Sequence, residues 1–222
     1  MSMPAARPTL DRTRVVDAAV ALADETGLEG MSMRRLADAL GVTPMALYKH
    51  VAHREELVDA MVERIVAGIA PAPAGEPWKT GLRTRILSAR AVMTRHAWAQ
   101  AAVETRTAAG PAVLAYMDSL MRLMFDGGLS ADLVHHAMHA LSTRMWGLTR
   151  DVLPTPAVPA DPAERERFLA GFTGAYPAIV RLATTASHAA DGCDADAEFT
   201  FALDLLLDGV ERMHATGWAP RR

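Results

Sequence analysis

The chain has 222 residues, half of them hydrophobic, 22% charged and 5% aromatic, with a formal net charge of −3 and a single cysteine. So apolar a chain buries a sizeable core, which excludes global disorder, and the charge balance excludes a protein that is basic over its whole surface. Cys193 alone excludes an intrachain disulfide framework or a cysteine-built zinc site, and no apolar run approaches the roughly 20 residues that span a bilayer.

Abundant Ala, Leu and Met favour helix. The first 14 residues carry positive charge with no apolar stretch behind them, so they read as a tail rather than a signal peptide. A helix follows over 11–26, with Val15, Ala19 and Leu22 on one face, and Gly27 ends it. Ser32 is placed to cap a short helix over 33–40, and Gly41 stops it. Thr43 is placed to cap a third helix, with Pro44 at its first position, running to about residue 51. A fourth spans 53–69. Prolines at 71, 73 and 77 then mark a boundary, dividing the chain into residues 1–70 and 71–222.

Beyond it the helical period continues over 78–96, 97–107 and 111–125, the last closed by Gly127 and Gly128. Ser130 is placed to cap a long helix over 131–150. A second proline-rich stretch, 153–162, reads as a long loop. Further helices begin at Pro162 and cover 176–188 and 196–216. No alternating β pattern occurs, so the fold is expected to be all-α.

Residues 33–51 make a short helix, a glycine turn and a second short helix, a helix-turn-helix. Ala37 is small where the two helices cross, and Gly41 permits the positive φ of the turn. Leu36, Leu40, Val42, Leu47 and Val51 face inward, which leaves Met45, Tyr48 and Lys49 on the outer face. Residues 31–54 hold Arg34, Arg35, Lys49 and Arg54 against Asp38, a local +3 in a region 1–70 that has 8 basic and 10 acidic groups. Positive charge confined to one surface suits phosphate contact.

These residues carry a resemblance. Ala18, Ala19 and Leu22, then Gly27, Arg35-Leu-Ala37, Leu40-Gly-Val-Thr43, Leu47-Tyr48, His50-Val51 and Glu56-Leu57 resemble the DNA-binding domain of the tetracycline-repressor (TetR) family of bacterial regulators over about residues 10–60. The segment 199–209 resembles the last helix of its tetracycline-repressor-like subgroup. The resemblance implies a ligand-responsive transcriptional regulator, most simply a repressor, and not an enzyme; a helical interaction protein or an enzyme on the same scaffold is the alternative. It implies a cytoplasmic homodimer, double-stranded operator DNA and a small-molecule effector as partners, and no cofactor. Tyr48 and His50 fall at the family's phosphate contacts, with Lys49 beside them and Arg54 as a further phosphate contact. Arg34 falls where the family places a base-contacting side chain, and Thr43, Pro44, Met45 and Ala46 at the tip of the recognition helix. Thr43, Pro44 and Met45 offer few donors, so readout through thymine methyls, with Arg34 on guanine, is expected.

In residues 71–222 the family binds its inducer and dimerises. Val134, Met138, Leu141, Met145 and Leu148 form one apolar stripe of the 131–150 segment; His136, Ala140, Thr143 and Gly147 form a second; His135, His139, Ser142 and Trp146 form a third. The small residues Ala140 and Gly147, with Leu203, Leu206 and Val210 of the last helix, are the dimerisation candidates, and Asp204, Asp208 and Glu211 are expected to mark that helix's wet side. His135 and His139 have a chelating spacing, but no third ligand accompanies them and no metal is assigned. Ligand contact or plain packing are the other readings of the pair. Trp98, Tyr116, Trp146, Phe168, Phe172 and Tyr176 are candidate pocket walls. The ligand anchors are Trp98, Tyr116, His135, His139, Trp146 and Phe172. Thirteen methionines, including Met117, Met121 and Met124, fit either a deformable cavity or a gap-filling core. A medium-sized hydrophobic or aromatic effector follows.

Overall fold

The computed structural model describes residues 9–105, 109–148, 159, 161–185 and 194–220. Every regular element among them is helical: α1 (Arg12–Gly30), α2 (Met33–Leu40), α3 (Pro44–Leu47), α4 (Arg54–Ala67), α5 (Trp78–Arg95), α6 (Ala99–Thr105), α7 (Pro111–Asp126), α8 (Ala131–Ala140), a 3₁₀ turn (Arg144–Trp146), α9 (Pro162–Ala175), α10 (Pro177–Thr185) and α11 (Ala195–Ala215). Residues 153–158 and Cys193 lie outside the described residues.

The helices start where side chains can satisfy their free amides. Asp11 accepts from the Arg14 amide, Ser32 from Arg35, His53 from Glu56 and Ser130 from Leu133. Thr43 occupies the N-cap of α3, but its side chain makes no cap hydrogen bond; Pro44, with no amide to satisfy, starts that helix instead. Within α1 the backbone leaves helical geometry at Gly27 (φ 69°).

The chain divides into two units, one of Met1–Leu148 with Leu203–Arg222, the other of Thr149–Ala202. In the first, packing does not break at Pro71. The α4 helix lies against α1 on one side and against α5, α6 and α7 on the other, burying Leu57, Met61, Val62, Ile65 and Val66. The α5 and α7 helices pack together through Leu82, Ile86, Tyr116 and Leu120, all fully buried. In the second unit α9 packs on α10, leaving Leu169, Tyr176 and Ile179 exposed.

A further expectation changes. The segment 131–150 is not one helix: α8 ends at Ala140, a turn and the 3₁₀ segment follow, and Gly147 is left-handed (φ 73°). Past Ala140 the amides turn to i→i−3 bonds, Ser142 to His139 and Gly147 to Arg144, and side chains take the carbonyls further on. Tyr116 donates to Met145, Arg90 to Gly147 (3.1 Å) and Arg144 to Leu148 (3.4 Å). The acidic side of α11 is exposed as expected, and it also makes ion pairs. Asp204 receives Arg83 at 2.6 Å, while Asp208 and Glu211 share Lys79 at 2.6 and 2.5 Å, so these carboxylates tie α11 to α5. Asp208 and Glu211 hold the Lys79 ammonium above its ordinary pKa.

Candidate nucleic-acid interface and core groove

The α2–α3 corner is rigid for local reasons. Gly41 takes the left-handed conformation (φ 66°) and its amide reaches the carbonyls of Ala37 and Asp38, while the Val42 amide reaches Ala37 at 3.0 Å. Ala37 is buried at the crossing, and Leu36, Leu47 and Val51 fill the space beneath it; Leu40 and Val42 are half-buried. The α3 helix is a single turn. It ends at Leu47, and the chain continues through Tyr48, Lys49 and His50 as a tight turn.

Because Leu47 and Val51 anchor this turn inward, the intervening side chains project. Met45 is 72% exposed and Tyr48 44%. Thr43, Pro44, Lys49 and Arg34 are exposed, and Ala46 and His50 are half-buried. A methionine standing so far into solvent beside a tyrosine is an apolar contact surface without an internal partner. Half of the local positive charge has internal work. Arg35 donates to the Gly30 carbonyl at 2.7 Å and Arg54 to the Leu28 carbonyl at 2.6 Å, bracing the end of α1. At the start of α4, Glu56 accepts from the Ala52 amide (2.6 Å) and from Arg12 (3.2 Å), and these two partners hold its carboxyl below the usual carboxylate value.

The second site is a groove of about 350 Å³ on α7 and α8, lined by Met117, Met121, Phe125, Val134, His135, Met138, His139, Ser142 and Met145 among others. His135 and His139 lie on the exposed side of α8 with ring centroids 4.6 Å apart, so the structure brings this pair together with the methionines. Among the described residues no group of three or more His, Cys, Asp or Glu is placed to hold a metal ion.

The remaining candidates are placed elsewhere. Tyr116 is buried beneath the groove, its hydroxyl on the Met145 carbonyl and its ring 5.1 Å from Trp146; burial pushes its phenol pKa up. Trp98 is buried away from the groove and donates to Asp24 at 2.7 Å, and the same carboxylate oxygen meets His96 at 2.8 Å. That clasp between α1 and the start of α6 had no sequence signal, because its members are over 70 residues apart. The Phe172 side chain lies outside the described residues. Ala140 is exposed at the end of α8, whereas Gly147 is buried against α5, where any Cβ would stand 2.2 Å from Arg90 Cα. Leu203 and Val210 are buried in the chain's own core and Leu206 is half-buried; Leu205 and Met213 are the exposed apolar side chains of this part of α11, with Gly209 between them.

Residues 15–61 match the family model described as bacterial regulatory proteins of the tetR family, and residues 70–214 match the tetracyclin repressor-like C-terminal domain. The chain belongs to the TetR family of transcriptional regulators. It is similar to the HTH-type transcriptional repressor DrrR1 of Streptomyces coeruleorubidus, at 32% identity over 92% of this chain and 78% of that one. It is also similar to the class C tetracycline repressor of Escherichia coli, at 32% identity over 93% of both. Among solved structures it resembles the Streptomyces coelicolor TetR-family protein ActR in complex with actinorhodin, with a TM-score of 0.69, 25% identity, and coverage of 92% of this chain and 99% of that one. TetR-family regulators are DNA-binding transcription factors, and no helix among the described residues is long and apolar enough to cross a membrane.

Proposed function

We propose that this TetR-family chain is a cytoplasmic repressor that grips operator DNA as a homodimer and lets go when a largely apolar, aromatic small molecule enters the Met/His groove. The observation that carries the DNA side is the projecting tip. Met45 and Tyr48 face solvent from a turn pinned by buried Leu47 and Val51, with Lys49 and Arg34 exposed nearby. Lys49, Tyr48 and His50 serve as backbone contacts, joined by Arg54 where its guanidinium is not committed to Leu28. Thr43, Pro44, Met45 and Ala46 meet base edges, Met45 on thymine methyls, and Arg34 reads guanine.

The regulatory domain takes up residues 71–222. Its groove offers thioethers and aromatic edges with two imidazoles as polar anchors, which suits a flat, weakly polar molecule. DrrR1 is named a repressor and ActR has been solved with actinorhodin, which supports both halves of the reading. Dimerisation is assigned to the outward face of α11, Leu205, Leu206, Gly209 and Met213, together with exposed Ala140 of α8. Leu203 and Val210 support that face from within.

Fluorescence anisotropy on the DNA upstream of the chain's own gene tests the whole reading. Wild type should bind this DNA, actinorhodin should release it, and His135→Ala and His139→Ala should raise the concentration needed by about tenfold. Release by a highly charged metabolite such as ATP, with no response to aromatic compounds, would overturn the ligand class.

A further inference from the structure

Between the groove and the far end of α4 runs a continuous set of polar and aromatic contacts. Arg85 of α5 donates one terminal nitrogen to the carbonyls of Ile69 (2.6 Å) and Ala70 (2.5 Å), just past the end of α4. Its Nε reaches Ser119 at 3.2 Å, and its guanidinium carbon stands 4.9 Å from the centre of the Tyr116 ring. Tyr116 packs against Trp146 with the rings tilted by 37° and donates its hydroxyl to the Met145 carbonyl, and Met145 lines the groove.

We infer that Arg85 and Tyr116 form the relay by which occupancy of the groove is transmitted to α4 and so to the DNA-contacting tip. The inference rests on the groove being the effector site. Its physical basis is the double duty of Arg85. Ile69 and Ala70 are the residues by which the chain leaves α4 after its C-cap Gly68, so the guanidinium holds the exit of that helix against α5. The same guanidinium is oriented from below by the Tyr116 ring and Ser119, and it is partly withdrawn from water, which pushes its pKa down. Met145 belongs to a short 3₁₀ turn next to left-handed Gly147, not to α8, so a ligand pressing on its side chain moves the carbonyl that holds Tyr116. The α4 helix is about 21 Å long at 1.5 Å per residue, and its other end begins at His53, directly after the tip. A small tilt at Ile69 therefore re-aims Met45 and Tyr48.

The test uses the full chain as wild type, Arg85→Lys and Tyr116→Phe, with actinorhodin as the probe. Lysine keeps the charge and can reach the carbonyls, but it lacks the planar face that meets the Tyr116 ring and the Nε that bonds Ser119. Phenylalanine keeps the ring and cuts only the bond to Met145, so it preserves a folded protein if the Arg85 variant fails to fold. Tryptophan quenching reads probe binding and anisotropy reads operator release. Arg85→Lys should bind actinorhodin within twofold of wild type yet need about tenfold more of it for release, and Tyr116→Phe should likewise raise the ratio of release to binding concentration about tenfold. Release that follows binding as closely in both variants as in wild type overturns the relay. If wild type does not bind actinorhodin, the ligand reading fails with that probe, and amide exchange then decides the relay alone. Tyr116→Phe should speed exchange at Gly68 and Ile69 at least fivefold, and unchanged exchange there overturns it.

Discussion

The α2–α3 tip and the α7–α8 groove both offer apolar surface to solvent, in opposite ways. The tip is convex and built from neighbours in sequence, with Met45 and Tyr48 standing out from a turn whose Leu47 and Val51 are buried. The groove is concave and gathers Met117 and Met121 of α7 with His135, Met138 and Met145 from beyond a turn. The tip's backbone is fixed by the Gly41 turn and by buried Leu47 and Val51, which in the proposed reading presents its side chains to a DNA groove in one register. The groove is lined by unbranched, polarizable thioethers that repack around different guests. The two regions also use a left-handed glycine differently. Around Gly41 (φ 66°) there is open space for a Cβ, whereas at Gly147 (φ 73°) a Cβ would collide with the Arg90 backbone.

That last contrast makes the largest prediction. Gly147→Ala combines left-handed strain with a backbone clash and should cost about 4 kcal/mol in urea unfolding, against about 1–2 kcal/mol for Gly41→Ala. Equal costs would mean that the turn after α8 is not closed onto α5 as described. Next in size is assembly. Leu205→Glu with Met213→Glu places charge on the outward face of α11 and should give a monomer by sedimentation velocity, with operator affinity reduced about 100-fold through loss of the second half-site. An intact dimer would move the interface elsewhere.

The tip itself can be sharpened further. Met45→Ala should weaken operator binding about tenfold, and replacing operator thymines by uracil should remove most of that difference, since both changes delete the same methyl contact. Lys49→Ala should weaken binding to all sequences alike and lower the salt slope by about one. Sequence-selective loss from Lys49→Ala would reverse the two roles. The smallest effect lies at the base of α4. The Ala52 amide and Arg12 depress the Glu56 carboxyl, so its contribution to stability is fully present above its ordinary value of 4.5 and is lost as pH falls through the folded value. Glu56→Gln should lower Tm slightly at pH 7, and the gap to wild type should close as the pH drops below about 4.5.

The amino-acid sequence by itself determined the all-α class, the positions of the helices up to Gly128 to within a few residues, and the outward set Met45, Tyr48 and Lys49. Each of these depends on interactions spanning only a few residues: the cap at Ser32, the proline that starts α3, the left-handed turn at Gly41, and the helical period that buries Leu36 and Leu47. His135 and His139 were legible as a pair for the same reason, being one turn apart on α8. Tertiary structure alone decided the rest. The turn that follows α8 is held by Tyr116 and Arg90, which take the carbonyls of Met145 and Gly147 from 29 and 57 residues away in the chain. Trp98 went to Asp24, Asp204 and Asp208 went to Arg83 and Lys79, and the outward face of α11 shifted to Leu205 and Met213. A helical period shows that a helix has an apolar side; which of two apolar sides meets its own subunit depends on where the partner helix lies, and that is a property of the packed chain.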